Sequence, residues 1–180
     1  MSTDLKQAAI DVINNFNAPA KGDAEDYGAL KPLMEYNVVL KRVLHPDSIE
    51  GASDVTWFLD NHMLSRKAHL ENWETTLIAN VKTGEVSGTG NYYDDNDKTI
   101  TPIFFTLGFV QNDVTGDWSL INSHATPTGP TVDSQSVAKG EVQPIPIWGI
   151  HKLSAGEQAN AKQFWKETKD YVAELLKTRD

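Results

Sequence analysis

The sequence predicts an α+β fold in which helices lead into a strongly curved antiparallel sheet and one more helix follows it. Three observations carry this expectation. Apolar residues recur at three- and four-residue spacing near both ends of the chain, and alternating patterns between residues 70 and 125 divide into four consecutive strands. The 180 residues, 39% apolar and 23% charged, show no composition shift that would split them into two cores.

The first helix is expected from Leu5, Ala8, Ala9, Val12, Ile13 and Phe16, with a cap at Ser2 or Thr3 and an end at Asn17 to Asp23. A short second helix is expected over Tyr27 to Glu35, from Leu30, Leu33 and Met34. Tyr36 to His45 alternates as a strand, closed by His45, Pro46 and Asp47. A third helix follows Gly51, and its face of Val55, Phe58, Leu59, His62 and Met63 places His62 on the buried side.

A two-residue turn at Thr83-Gly84 pairs Val81 with Val86 and Leu77 with Gly90. That register gathers Trp73, Leu77, Ala79, Val81, Val86 and Tyr92 on the inner face, where Gly88 and Gly90 allow curvature or leave room above the sheet. The next strand, Thr99 to Gln111, turns Ile103, Phe105, Leu107 and Phe109 inward. In the last, Asp117 to Thr126, pairing Phe109 with Trp118 and Leu107 with Leu120 points Asn122 and His124 to the interior as well.

Residues 1–126 therefore form the main domain. Residues 127–180 add an extended segment rich in Pro, Gly, Ser and Thr, then a helix opening on the capping box Ser154-Ala155-Gly156-Glu157. The apolar stripe of that helix, from Ala161 through Phe164, Trp165 and Val172 to Leu176, is expected to pack on the same domain or on a partner subunit.

Composition narrows the chemistry. A net charge of −9 with isolated basic doublets argues against nucleic acid, and the absence of cysteine removes disulfides and thiolate catalysis. No signal peptide is visible and no apolar run is long enough for a membrane helix, so a cytoplasmic protein that neither spans nor anchors to a membrane is expected. The five histidines make no metal pattern, and neither a phosphate loop nor a dinucleotide fingerprint follows any strand. No metal and no cofactor is expected.

An inward His124 is a candidate general acid or base beside Asn122, set against a core histidine with a hydrogen-bonded neighbour. His45 and Asp47 stand at a strand end where pocket rims are built, or simply close a turn. An inward Tyr92 offers a hydroxyl to a ligand carbonyl. Trp57, Trp73, Phe105 and Leu107 are candidate walls for a flat apolar ligand, with core packing as the alternative for each.

The order of elements, the Ile49-Glu50-Gly51 lead into the third helix, and the closing Gly116-Asp117-Trp118-Ser119-Leu120-Ile121-Asn122-Ser123-His124 resemble the nuclear transport factor 2-like superfamily, including SnoaL-like and ketosteroid isomerase-like proteins. The resemblance covers roughly residues 5 to 126. It implies a cone-shaped barrel whose bent sheet wraps the N-terminal helices around a hydrophobic pocket, and frequent homodimerisation through the sheet's outer face, where Phe104 and Val110 would suit the contact. Family members include cofactor-free isomerases, cyclases and dehydratases as well as non-catalytic adaptors. Two readings follow: an enzyme acting on a small, apolar, carbonyl-bearing molecule, or a non-catalytic ligand-binding or protein-interaction module.

Overall fold

The computed structural model describes residues 1–41 and 47–135, together with 163, 166, 167, 170, 171, 173 and 174. Helix α1 (Leu5–Lys21) forms because its apolar stripe has one buried face, Leu5, Ala8, Ala9, Val12 and Ile13, and because Asp4 rather than Ser2 or Thr3 caps it. The Asp4 carboxylate accepts the Gln7 amide at 2.7 Å. The helix runs one turn further than expected, through Pro19, and stops where Gly22 takes a left-handed conformation (φ 79°).

A 3₁₀ turn (Gly28–Leu33) replaces the expected second helix, and strand β1 (Met34–Lys41) follows it. Strand β2 (Ser48–Glu50) then leads into helix α2 (Ala52–Phe58) and a π-turn (Leu59–Met63). That wider turn rotates His62 off the buried stripe, leaving it exposed, while Val55 and Leu59 stay inside.

Strands β3 (His69–Glu71), β4 (Ile78–Asn80), β5 (Glu85–Asp94), β6 (Thr99–Gln111), β7 (Trp118–Pro127) and β8 (Val132–Asp133) complete a mixed sheet of order β2-β1-β7-β6-β5-β3. Strand β4 lies beside β5, and β8 beside β6. Among the described residues β1 and β7 run parallel and the other strand pairs are antiparallel. The helices cover the inner face, and the shared core runs from Leu5 and Tyr27 through Trp73 and Phe105 to Trp118. The sheet stays open, with β2 and β3 at its ends.

The expected strand before β5 is broken. Asn72 has positive φ (59°), Glu74–Thr76 is a 3₁₀ turn, and β4 then pairs Ala79 with Val86, two residues away from the expected register. Trp73 and Leu77 are buried as expected, but Ala79 is exposed like the rest of β4, and Val81 is exposed where the hairpin loop begins. His69 lies in β3 with its ring stacked on Tyr93 at 4.9 Å.

After β7 the chain does not leave the sheet. The Thr128 amide donates to the Pro102 carbonyl at 2.9 Å and Val132 pairs with Ile100, so this stretch follows the edge of β6. Most of the expected C-terminal helix lies outside the described residues. Those described, Gln163, Lys166, Glu167, Asp170, Tyr171, Ala173 and Glu174, are helical and exposed.

Candidate ligand site inside the sheet

The decisive feature of the sheet is a bulge in β7. Strand β6 pairs Gly108 with Asn122 but Phe109 with Leu120, which leaves Ile121 as an extra residue. Before the bulge the even-numbered Trp118 and Leu120 are buried; after it Asn122 and His124 are exposed and Ala125 packs on the core. The expectation of an inward His124 beside an inward Asn122 is therefore overturned. Turned outward by the bulge, the Asn122 carboxamide lies over Gly108, directly opposite, in the place a Cβ would take.

The other sequence candidates separate in space. Trp57 is 61% exposed, its ring edge-on to His62 at 5.6 Å, so it walls no interior pocket. Trp73, Phe105 and Leu107 are buried together in the core. Asp47 is exposed and His45 lies outside the described residues. Room above Gly88 and Gly90 is already taken: a Cβ on Gly88 would meet Leu77 and Phe105 at 2.9 Å, and one on Gly90 would meet Leu70 at 2.8 Å. The missing side chains accommodate leucines from the broken strand.

What remains inside is a pair of tyrosines. Tyr27, in the connection after α1, is 1% exposed and its hydroxyl has no hydrogen-bond partner. Its ring lies 6.0 Å from that of Phe16, and its main-chain N–H donates to the Asp60 carboxylate of the π-turn at 2.9 Å. Burial, helped by the Asp60 charge, pushes the Tyr27 phenol up from 10.0 to about 12.

Tyr92 follows Val86, Gly88 and Gly90 along the inner face of β5 and packs at the edge of the core. Its phenol is raised still further, first by burial, then by Asp94 and by Tyr27 itself. At the same end of the sheet Arg66 holds Asp94 and Asp97, both at 3.1 Å. The Arg66 carbonyl also accepts the Asp95 amide at 2.9 Å. These bonds staple the end of the α2 segment to the β5–β6 turn.

Tyr92 was legible in the sequence through strand alternation. Tyr27 was not, because at the start of the stretch read as a short helix its placement depends on contacts with Phe16 and Asp60, and Asp60 was hidden by a π-turn that no residue pattern announces.

Two further features lie on the surface. A hollow of about 400 Å³ opens at the sheet edge between Lys21 and the stretch from Leu70 to Thr75. On the outer face, Ile78, Ser87, Thr106, His124 and Lys41 form one continuous cross-strand row. Phe104 and Val110 flank it at 42% and 40% exposure, and Ile78 is 71% exposed. Among the described residues no group of His, Asp and Glu would hold a metal ion, and no helix is long and apolar enough to cross a membrane.

No family model and no curated protein matches the sequence. Solved structures do match the architecture. RV0760c from Mycobacterium tuberculosis superposes with a TM-score of 0.50 at 16% identity, over 72% of this chain and 95% of that one. The hexachlorocyclohexane dehydrochlorinase LinA-type3 from Novosphingobium barchaimii LL02 gives 0.50 at 13% identity, over 70% and 87%. The chain has the nuclear transport factor 2-like fold. A putative ketosteroid isomerase from Kribbella flavida DSM 17836 scores 0.49 at 14% identity, over 70% and 78%. At such identities the likeness is one of fold, and a nuclear transport factor 2-like scaffold hosts unrelated chemistries, so function has to come from the residues.

Proposed function

We propose that this protein binds a small, largely apolar, carbonyl-bearing molecule between the helices and the inner face of the sheet, with Tyr27 as its deepest polar contact. The observation that carries this reading is the Tyr27 hydroxyl, fully buried and without a partner. Burying a hydroxyl unpaired costs about 1–3 kcal/mol, and a folded protein that keeps one needs a reason, of which a ligand atom is one. Leu64, Phe58, Met63 and Tyr92 are only partly buried around the same core, so they are the side chains that would yield to a guest.

Binding is the reading the geometry supports best, with proton transfer by His124 set aside because its ring is on the other face of the sheet. An isomerase-, cyclase- or dehydratase-like activity would have to draw its proton acceptor from the helix side, where Asp60 is the carboxylate beside Tyr27.

A thermal-shift screen of neutral apolar compounds tests the reading. A ligand present at one hundred times its Kd adds about 2.7 kcal/mol to the folded state, a readily measured rise in Tm. If aromatic and polycyclic ketones all leave Tm unchanged, interior binding is refuted.

A second reading is favoured by the outer face. The row from Ile78 to Lys41, flanked by Phe104 and Val110, offers a mixed apolar and polar surface on which a second copy of the chain would pack to form a homodimer. Sedimentation of the protein and of a Phe104→Lys variant tests it: a monomer in both excludes association through this face.

A further inference from the structure

The outer face of the sheet is not uniformly open. The ladder between β5 and β6 runs from Asp94 and Thr99 to Glu85 and Gly108 without a slip, so Ile100, Pro102, Phe104 and Thr106 project away from the core side chains Ile103, Phe105 and Leu107. Along that outward row Phe104 is 42% exposed, whereas Ile100 is 1% exposed and Pro102 below 2%. Ile100 takes no part in the inner core, and its cross-strand neighbours are Tyr93 and Val132. A single sheet leaves its outer side chains in water unless another layer covers them.

The chain itself arrives at that place. Val132 pairs with Ile100 and the Ser134 N–H donates to the Lys98 carbonyl at 2.8 Å, so residues 136–180 set out from the buried end of the row. Further along, Gln163, Lys166, Glu167, Asp170 and Tyr171 are helical and exposed, and at about 3.6 residues per turn they share one side of a helix. The sequence puts Phe164, Trp165, Val172 and Leu175 on the opposite side, an apolar stripe that needs a surface to cover it.

We propose that the stripe of Phe164, Trp165, Val172 and Leu175 packs over Ile100 and Pro102, on the outer face of the chain's own sheet. The stripe residues lie outside the described residues; the buried receiving pair, the exposed side of the helix and the point of departure all favour this seat. Because the tail begins beside its seat, docking within one chain has a high effective concentration that docking on a partner lacks. The seat is across the sheet from the interior and independent of any ligand there, and it leaves Phe104 and Val110 open beside it.

The full chain has no cysteine, so a single introduced one carries a nitroxide at a chosen place. In Thr106→Cys the label sits on the outer face beyond Phe104, and in Lys6→Cys it sits on α1, on the other side of the sheet. The expected result is loss of the Trp165 indole and Val172 methyl resonances with the first label and their retention with the second. A label in Glu167→Cys, on the exposed side of the helix, should in turn remove the Ile100 methyl resonances. Adding Val172→Asp to either outer label should restore the lost signals while the Leu107 methyl resonances of the inner core stay in place.

Retention of the Trp165 and Val172 signals beside the Thr106→Cys label overturns the proposal. So does loss of the Trp148 indole signal in their stead, which gives the seat to the Pro-rich segment, or broadening that persists with Val172→Asp. In a mixture of labelled natural-abundance chain and label-free isotope-enriched chain, only contacts between copies broaden a signal. Loss of the Trp165 resonance there places the helix on a partner subunit and also overturns packing on its own sheet.

Discussion

The Asn17 carboxamide and the Leu70 main chain, 53 residues apart, are joined by two hydrogen bonds: Asn17 Nδ2 donates to the Leu70 carbonyl at 2.9 Å, and the Leu70 N–H donates to Asn17 Oδ1 at 2.8 Å. Leu70 lies in β3, the strand at one end of the sheet, and the amide from α1 takes the place of a further strand there. Asn17 is 1% exposed, so no solvent replaces these bonds when they are lost.

Replacing Asn17 with alanine should cost about 2–4 kcal/mol, because the N–H and C=O of Leu70 are both orphaned in a buried place. Urea denaturation measures the loss. Amide exchange adds a local reading: the Leu70 amide should lose protection beyond the global decrease, and an unchanged Leu70 would show that the bond contributes little.

The bulge at Ile121 predicts a contrast between neighbouring residues. Ala125 packs on the core while His124 is exposed, so Ala125→Lys should cost about 2–4 kcal/mol by burying an ammonium, whereas His124→Lys should stay within about 0.5 kcal/mol. Equal effects, or the reverse order, would mean that β7 keeps its even-numbered residues inward through residue 124. Binding of any interior ligand should be indifferent to His124→Ala.

Much of the architecture was legible because it rests on period. Alternation in Val86 to Tyr92 and in Ile103 to Phe109 reports a half-buried sheet directly, and the α1 stripe reports its covering helix. What misled was local geometry that leaves the residue pattern unchanged. One extra residue in β7 inverted the face of everything after Leu120, and one π-turn turned His62 out. The break at Asn72 converted one long strand into two short ones, and with it the role of Gly88 and Gly90 changed from leaving room to receiving Leu77 and Leu70. Polar residues fared worst, since Tyr27 and Asn17 are placed by long-range contacts that neither neighbour spacing nor composition encodes.

That change of role is testable at Gly88. A methyl there would come within 2.9 Å of both Leu77 Cδ2 and Phe105 Cζ, so Gly88→Ala should cost about 1–3 kcal/mol by overpacking. Shortening one of the obstructing side chains, in Gly88→Ala with Leu77→Ala, should cost less than the sum of the two single substitutions. A double-mutant cycle reads the coupling, and strict additivity would mean that the space above Gly88 is open after all.

Tyr27 gives the pH dependence. Its phenol is held near 12 in the folded chain by burial and by Asp60, against an ordinary value of 10.0. The folded state therefore keeps its proton where the unfolded state has released it. The stability this contributes is fully present below pH 10 and is lost as pH rises from about 10 to about 12. Tyr92 and Tyr93, both raised by burial first, act in the same direction, so the parent chain alone does not isolate the effect. The difference between the parent and Tyr27→Phe does. At pH 8 the variant should be as stable or more stable by up to about 1–3 kcal/mol, since an unpaired buried hydroxyl has been removed. Between pH 10 and 12 its advantage should widen, because phenylalanine has no proton to lose. Urea midpoints for both chains across that range measure the gap, and parallel curves would show that the Tyr27 hydroxyl ionises as freely inside the fold as outside it.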